Sequence, residues 1–327
     1  MKTNYLQGAI YCLIATISWG CMFPVMTTAL VHIDPFNFTA LRYLIAGAGF
    51  LGLLLLKEGK AALNLKGERV FLAWFLGTCG FAGFGFLVFL GQKMAGPTGA
   101  LTASITMATM PMLGLLVNWS IRGVRPPLPT LSFILLSFIG VTLVLTHGDP
   151  TALFSNPQNF SANVPILLGA LCWVVYSVGA SFFPKWSPYR YTAITTLLGL
   201  TSIFVINAIL LGIGYIQWPS SAQVVAVAPH LFYMSIVAGL IGVLSWNAGN
   251  KIITPVNGVL FMDIVPITAF AVSALIGVIP NRVQIIGAFI TAAALIMNNI
   301  YQRRRIATSV TAVPTKISPS SQVRAAS

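Results

Sequence analysis

The feature that most constrains this chain is a succession of long apolar stretches, separated by short connections that hold most of its charged residues. A helix needs about 20 apolar residues to cross the ~30 Å hydrocarbon core of a bilayer. Stretches of roughly that length occupy residues 6–30, 36–56, 70–91, 97–119, 128–147, 163–184, 191–214, 227–248, 255–276 and 283–301. Charged residues are only 7% of the chain, against about 25% in soluble domains. The sequence therefore predicts an all-α polytopic membrane protein with ten transmembrane helices.

The positions of the basic residues predict its orientation. A net charge of +13 would suggest a nucleic-acid partner in a soluble protein, but here the basic residues lie in the connections, so no such partner is expected. If the N-terminus is inside, fifteen Lys and Arg fall inside, and only Lys93 and Arg282 fall outside. This asymmetry predicts a multi-pass protein of the plasma membrane, most simply a bacterial inner membrane, with both termini cytoplasmic. Residues 302–327 are expected to form a disordered basic cytoplasmic tail.

The two halves of the chain resemble each other. The corresponding segments are Pro35–Ala40 with Pro188–Ala193, Trp19 with Trp173, Gly91–Lys93 with Gly249–Lys251, and Pro111 with Pro266. Their offsets stay between 153 and 158 residues. The pattern predicts two repeats, at residues 1–150 and 160–301. Because each repeat has five predicted crossings, an odd number, the second is expected to be inverted relative to the first.

One carboxylate interrupts the predicted ninth span. Asp263 lies near its middle, where an acid costs about 2.5–3.5 kcal/mol on insertion scales and normally faces a cavity or a partner. It can accept a proton in exchange for substrate, bind a substrate cation, or form a structural pair within the bundle. Burial would favour the first role by raising its pKa toward neutrality.

Several aromatic and polar residues lie well inside predicted spans, away from the headgroup level where Trp and Tyr usually collect. On a cavity wall the aromatic rings would stack on planar or cationic substrates, and on a helix interface they would only fill space. The polar residues can orient a ligand or bond across helices. The candidates for substrate binding are Trp19, Thr106, Trp173, Tyr176, Ser177, Trp246, Asn247 and Asn257. Pro24, Pro111 and Pro266 are expected to bend their helices.

Arg42 lies a turn or two into the second span from the outside. It can attract an anionic substrate group, or it can be structural, since a long side chain can reach toward the interface at low cost.

These features resemble the ten-helix EamA-type branch of the drug/metabolite transporter superfamily. The resemblance lies in Ser18-Trp19-Gly20 with Pro24, the Asp34-Pro35 helix start followed by Arg42, the Pro97 and Pro255 helix starts, the paired Pro111 and Pro266, and Gln284-x-x-Gly287-Ala288. It extends over residues 6–301 and implies a central cavity between the halves, with spans 5 and 10 peripheral. Many such proteins carry a Glu after the fourth and ninth spans, which is lacking here, so no role of that residue can be transferred.

The resemblance implies a secondary transporter, tending toward export, that moves small polar or amphipathic metabolites or drugs by alternating access. The expected partners are the small-molecule substrate and the lipid bilayer. Proton coupling through Asp263 is a further hypothesis, which would add protons to these partners. A metabolite importer or exchanger, or a non-transporting receptor or scaffold, is the alternative. The sequence has no recognisable catalytic or nucleotide-binding motif, so neither an enzyme nor a cofactor is expected. The oligomeric expectation is a monomer or homodimer.

Overall fold

A computed structural model describes residues 2–96, 99–123, 125–146, 148–149, 157–275 and 282–311. All regular secondary structure in this part of the chain is helical. The α-helices are α1 (Lys2–Ala29), α2 (Pro35–Glu58), α3 (Val70–Gly77), α4 (Phe84–Met94), α5 (Gly99–Thr106), α6 (Met110–Arg122), α7 (Leu128–Thr146), α8 (Pro157–Gly179), α9 (Pro188–Gly212), α10 (Ser221–Ala226), α11 (Ala228–Phe232), α12 (Gly242–Ile253), α13 (Pro255–Val259), α14 (Ile264–Leu275) and α15 (Arg282–Thr311). Four 3-10 turns are Lys60–Leu63, Met107–Thr109, Ala180–Phe182 and Leu260–Asp263, and two π-helical segments are Thr78–Gly83 and Tyr233–Ile241.

Within the described residues, six helical stretches are long and apolar enough to cross a membrane. They are Asn4–Ala29, Pro35–Glu58, Val70–Met94, Ser161–Phe182, Pro188–Gly212 and Ala228–Ile253. Four shorter apolar helices lie where the sequence predicts the fourth, fifth, ninth and tenth spans. The helical membrane class is confirmed, and the number of ten crossings stays a prediction.

The last helix ends later than the sequence analysis placed it. We expected the chain to leave the helix at residue 301, but α15 continues to Thr311. The remainder of the expected tail, residues 312–327, lies outside the described residues.

Corresponding helices of the two halves begin in the same way. At the start of α2, Asp34 Oδ1 accepts hydrogen bonds from the backbone N–H groups of Phe36 and Asn37, both at 2.9 Å. At the start of α9, Ser187 Oγ accepts from the N–H of Arg190 at 3.0 Å. In both helices a proline occupies the first turn, where no donor is needed. The repeated sequence Pro35–Ala40 and Pro188–Ala193 is thus a repeated helix start.

The helices of one half pack mainly on those of the other. Helix α1 packs on α12 and α14, and its counterpart α8 packs on α4 and α6. Helices α2 and α9 pack on each other, as do α7 and α15. Exchanging the halves therefore reproduces the same set of contacts, and the core lies where α1, α8, α4 and α12 meet.

The third and eighth helical stretches both change to π-helix near their middle. Thr78–Gly83 joins α3 to α4, and Tyr233–Ile241 joins α11 to α12. Glycines allow close packing beside the first of these segments: a Cβ on Gly77 would lie 2.0 Å from the carbonyl oxygen of Thr195. Small residues of this kind let helix backbones approach in a membrane.

Gly77→Ala should therefore destabilise the protein, because the new methyl group meets the backbone of α9. Over-packing of this sort costs about 1–3 kcal/mol. The matched control is Gly52→Ala in α2, where an added Cβ meets nothing within 4 Å and alanine is the better helix former by roughly 0.5–1 kcal/mol. We expect thermal unfolding of the purified protein to shift downward for Gly77→Ala only. Equal shifts for the two variants would show that α3 and α9 are not in such close contact.

Candidate functional site

Three tryptophans from both halves meet at the centre of the molecule. The ring centroid of Trp19 in α1 lies 5.1 Å from that of Trp173 in α8, nearly perpendicular to it, and 5.3 Å from that of Trp246 in α12. Trp173 and Trp246 are 6.5 Å apart. All three are at most 5% exposed. We call these residues the tryptophan cluster. It brings together residues that the sequence analysis proposed separately.

A hydrogen-bonded network continues from the tryptophan cluster. Trp246 Nε1 donates to Ser177 Oγ at 2.9 Å. Asn247 Nδ2 donates to the hydroxyl groups of Tyr176 and Thr192, both at 2.7 Å. The ring of Tyr176 lies 5.1 Å from that of Trp173. The predicted candidates Tyr176, Ser177 and Asn247 therefore belong to one site, to which Thr192 of α9 also contributes.

A small central cavity lies beside the tryptophan cluster. It has a volume of about 10 Å³, roughly what one water molecule requires. Its lining residues are Trp19, Met22, Phe23, Arg42, Tyr43, Phe84, Met107, Trp173, Val243, Met262 and Val265. Most of these escaped the sequence analysis because an apolar lining residue has the same sequence signal as a packing residue.

Arg42 is fully enclosed, so the possibility that its side chain reaches the interface is wrong. It is 1% exposed, and its Nε donates to the carbonyl oxygen of Met234 at 2.9 Å. Its guanidinium lies 4.8 Å from the ring centroid of Tyr43 and 5.6 Å from that of Phe89. It lines the central cavity.

Two of the predicted substrate-binding residues show hydrogen bonds to residues three or four positions away in the chain. Asn257 Nδ2 donates to the carbonyl oxygen of Ile253 at 2.8 Å. The carbonyl oxygen of Thr106 accepts from Thr109 Oγ1 at 2.6 Å. A substrate role for Thr106 or Asn257 thus stays a prediction.

The proposed bending prolines differ in setting. Pro24 lies inside α1. Pro111 is in the first turn of α6, directly after the 3-10 turn Met107–Thr109. Pro266 is likewise in the first turn of α14, after Leu260–Asp263. At these two starts the missing N–H has no helical partner to lose.

The side chain of the coupling candidate Asp263 lies outside the described residues. Its backbone closes the 3-10 turn Leu260–Asp263. The nearby residues Met262 and Val265 line the central cavity.

Contacts near the helix ends and between the connections define two ends of the helix bundle. At the N-terminal face, a Cβ on Gly8 of α1 would touch Ile253 at the end of α12, and Arg190 Nη2 donates to the carbonyl oxygen of Asn64 at 2.8 Å. At the opposite face, Gln223 Nε2 donates to the carbonyl oxygen of His32 at 3.0 Å. The central cavity lies between these faces.

A larger cavity lies at the N-terminal face, between the ends of α8 and α12. Its volume is about 290 Å³, and Ser181, Tyr191, Asn247 and Asn250 are among its lining residues. The ammonium group of Lys251 donates to the carbonyl oxygen of Trp186 beside it. Because Asn247 also bonds to Tyr176, this cavity reaches the network beneath the tryptophan cluster.

The corresponding helix ends at the opposite face are tied together. Gln92 Nε2 donates to the carbonyl oxygen of Phe23 at 2.8 Å and to Thr27 Oγ1 at 2.7 Å. Its counterpart in the second half is Asn250, which is buried and has no hydrogen-bond partner for Oδ1 or Nδ2. The two halves thus carry the same motif with different contacts: the end of α4 is hydrogen-bonded to α1 through Gln92, whereas Asn250 at the end of α12 makes no such bond.

The fold and the central site define a class of protein: a helical membrane protein built from two related halves with an aromatic site between them. Residues 6–146 and 161–300 each match the EamA-like transporter family. The chain belongs to this family, and so to the drug/metabolite transporter superfamily that its motifs indicate.

Curated relatives carry the same general description. "Uncharacterized transporter YrdR" of Bacillus subtilis (strain 168) is 38% identical over 303 residues, covering 93% of this chain and 94% of the relative. "Uncharacterized transporter YyaM" of the same organism is 26% identical over 276 residues, covering 84% and 87%. A solved structure titled "Crystal structure of protein" has a TM-score of 0.67 at 20% identity and covers 93% of this chain and 99% of its own. That last likeness concerns the fold alone.

The difference between the two faces can be measured by cysteine labelling. Ser181 lines the N-terminal cavity, whereas its counterpart Thr27 is bonded to Gln92. In a background lacking the four native cysteines, Ser181→Cys should react with a water-soluble maleimide roughly tenfold faster than Thr27→Cys. Equal rates, or faster labelling at residue 27, would contradict the arrangement described here.

Proposed function

We propose that this protein is a secondary active transporter that exports small polar or amphipathic metabolites or drugs by alternating access. The observation that carries the proposal is the unequal state of two equivalent positions. Gln92 is hydrogen-bonded to α1, whereas the side chain of its counterpart Asn250 has no hydrogen-bond partner and lines the cavity at the N-terminal face. A carrier that opens to one side at a time requires such a difference. Membership of a transporter family supports it, and the outward direction follows the tendency of that family.

The predicted inversion of the second repeat relative to the first would supply the mechanism. In the opposite state Asn250 would make the bonds that correspond to those of Gln92. Phe23 and Thr27 correspond to Ser177 and Ser181, so Asn250 would donate to the carbonyl oxygen of Ser177 and to the hydroxyl group of Ser181. Gln92 would then release α1, and the cavity would open at the opposite face. If both termini are cytoplasmic, as the charge asymmetry predicts, the cavity at the N-terminal face would open toward the cytoplasm, where an exporter loads its substrate.

Import or exchange of a metabolite uses the same two states with a different driving gradient, and is the alternative within transport. A receptor or scaffold would bind a ligand without moving it. Counterflow separates these classes, because only a carrier accumulates labelled substrate against unlabelled substrate trapped inside a vesicle.

The test begins with a panel of metabolites and drugs that is screened for thermal stabilisation of the purified protein, since binding to the folded state raises stability. Labelled hits should then accumulate by counterflow in proteoliposomes. Trp173→Ala should lower this uptake about tenfold or more while the protein still folds, because Trp173 forms the wall of the site. The control is Trp218→Ala, since Trp218 is 80% exposed. Hits that bind without counterflow would favour a receptor.

Proton coupling is proposed at Asp263. Replacing its carboxyl with an amide keeps the shape but removes the titrating group, so Asp263→Asn should fold and still perform counterflow. Net uptake or release driven by a pH gradient should be lost, because a proton can no longer be carried by this group. Unchanged gradient-driven flux in Asp263→Asn would remove Asp263 from the coupling mechanism.

A further inference from the structure

The central cavity is lined by buried hydrogen-bond donors that have no partner. Arg42 Nη1, Trp173 Nε1 and the Tyr43 hydroxyl are all buried without an acceptor, and all three residues line the same cavity. The remaining polar side chain of the lining, Trp19, already donates to the carbonyl oxygen of Ala238 at 2.9 Å. Unpaired buried polar groups are costly, and a charged one especially so. Three in one place indicate that an acceptor belongs there.

Arg42 is held so that one edge of its guanidinium is left for a ligand. Nε is fixed by the carbonyl oxygen of Met234, and the rings of Tyr43 and Phe89 lie within cation–π range. These contacts orient the group, but none of them carries a formal negative charge. No carboxylate among the described residues pairs with Arg42.

We infer that Arg42 binds an anionic group of the substrate, and that the substrates are small organic carboxylates with an apolar body. This inference rests on the proposed transport function and names its substrate class. A carboxylate has two acceptor oxygens and no donor, and its plane matches a guanidinium. The indole N–H of Trp173 and the hydroxyl of Tyr43 can donate to the same group.

The apolar body of the substrate would lie against the tryptophan cluster. Trp19 and Trp173 offer ring surfaces beside Arg42, with Met22 and Val243 completing an apolar wall. Amines are disfavoured, since a second cation would face Arg42 in a medium of low dielectric constant.

Three probes of similar shape and different charge test the inference: 3-phenylpropionate, 3-phenylpropanamide and 3-phenylpropylamine. Thermal stabilisation of the purified full-length protein should give the carboxylate an apparent affinity at least about tenfold higher than the amide, since a hydrogen bond to a charged group is the stronger kind. The amine should not stabilise. Arg42→Gln should abolish the preference for the carboxylate, and Trp173→Phe should weaken it.

Arg69→Gln is the matched control, because it removes the same charge at an exposed position and should leave the preference intact. If Arg42→Gln does not fold, Arg42→Lys keeps the charge but loses the planar guanidinium, and should reduce the preference without removing it. The comparison of ligands on the wild-type protein requires no variant at all.

The outcomes separate the inference from the proposed function. Equal or better binding of the amide or the amine, together with their exchange in counterflow, would overturn the carboxylate site and leave a transporter. Carboxylate preference that emerges only in Asp263→Asn would identify Asp263 as an internal partner of Arg42, and would also overturn the inference. Failure of every compound in the metabolite and drug panel, carboxylates included, to bind or exchange would overturn both.

Discussion

The requirement that polar groups find partners inside the protein governs this structure, because the hydrocarbon core of the bilayer offers them none. The π-helical segment Tyr233–Ile241 meets that requirement with side chains from the other half. Trp19 Nε1 donates to the carbonyl oxygen of Ala238, and Arg42 Nε donates to that of Met234. The wide turn of this π-helical segment is thus stabilised by Trp19 and Arg42, and both residues also line the central cavity. The backbone irregularity and the site depend on each other.

Because of this dependence, a movement of one half against the other would change the site. Trp19 and Arg42 belong to the first half, and their acceptors belong to the second. On the other side, Thr78 of the first π-helical segment bonds to Ser202 of α9 at 2.6 Å between their hydroxyl oxygens. Any displacement of one half against the other changes the positions of these donors relative to their acceptors. A substrate that engages Arg42 would therefore act on the same bonds that join the halves.

Much of the site was predictable from the sequence because aromatic and polar residues are costly or unusual in mid-membrane. That argument singled out Trp19, Trp173, Trp246 and Asn247, which lie close together in the structure, and their binding of a substrate stays a prediction. It could not predict that the side chain of Gln92 is hydrogen-bonded while that of Asn250 is not, because the two halves share one motif and the sequence does not show which of the two side chains has a partner. The enclosure of Arg42 also escaped it, since the depth of a long side chain depends on helix packing, not on its place in a span. The 3-10 turns that precede Pro111 and Pro266 could not be predicted, because the sequence shows only the prolines themselves.

The small volume of the central cavity constrains how a substrate can bind. At about 10 Å³ it holds no metabolite, so the rings of Trp19, Trp173 and Trp246 must separate first. Each aromatic pair contributes about 0.5–1.5 kcal/mol, and three pairs therefore oppose opening by a few kcal/mol. A cost of that size lowers the apparent affinity of the substrate, because the conformation that can bind it is only partly populated. A substrate whose apolar body replaces the ring contacts would offset much of the cost of separating the rings, whereas a small ion that only neutralises Arg42 would not. At the proposed carboxylate site, the aromatic closure would therefore favour ligands that combine a charged end with an apolar surface.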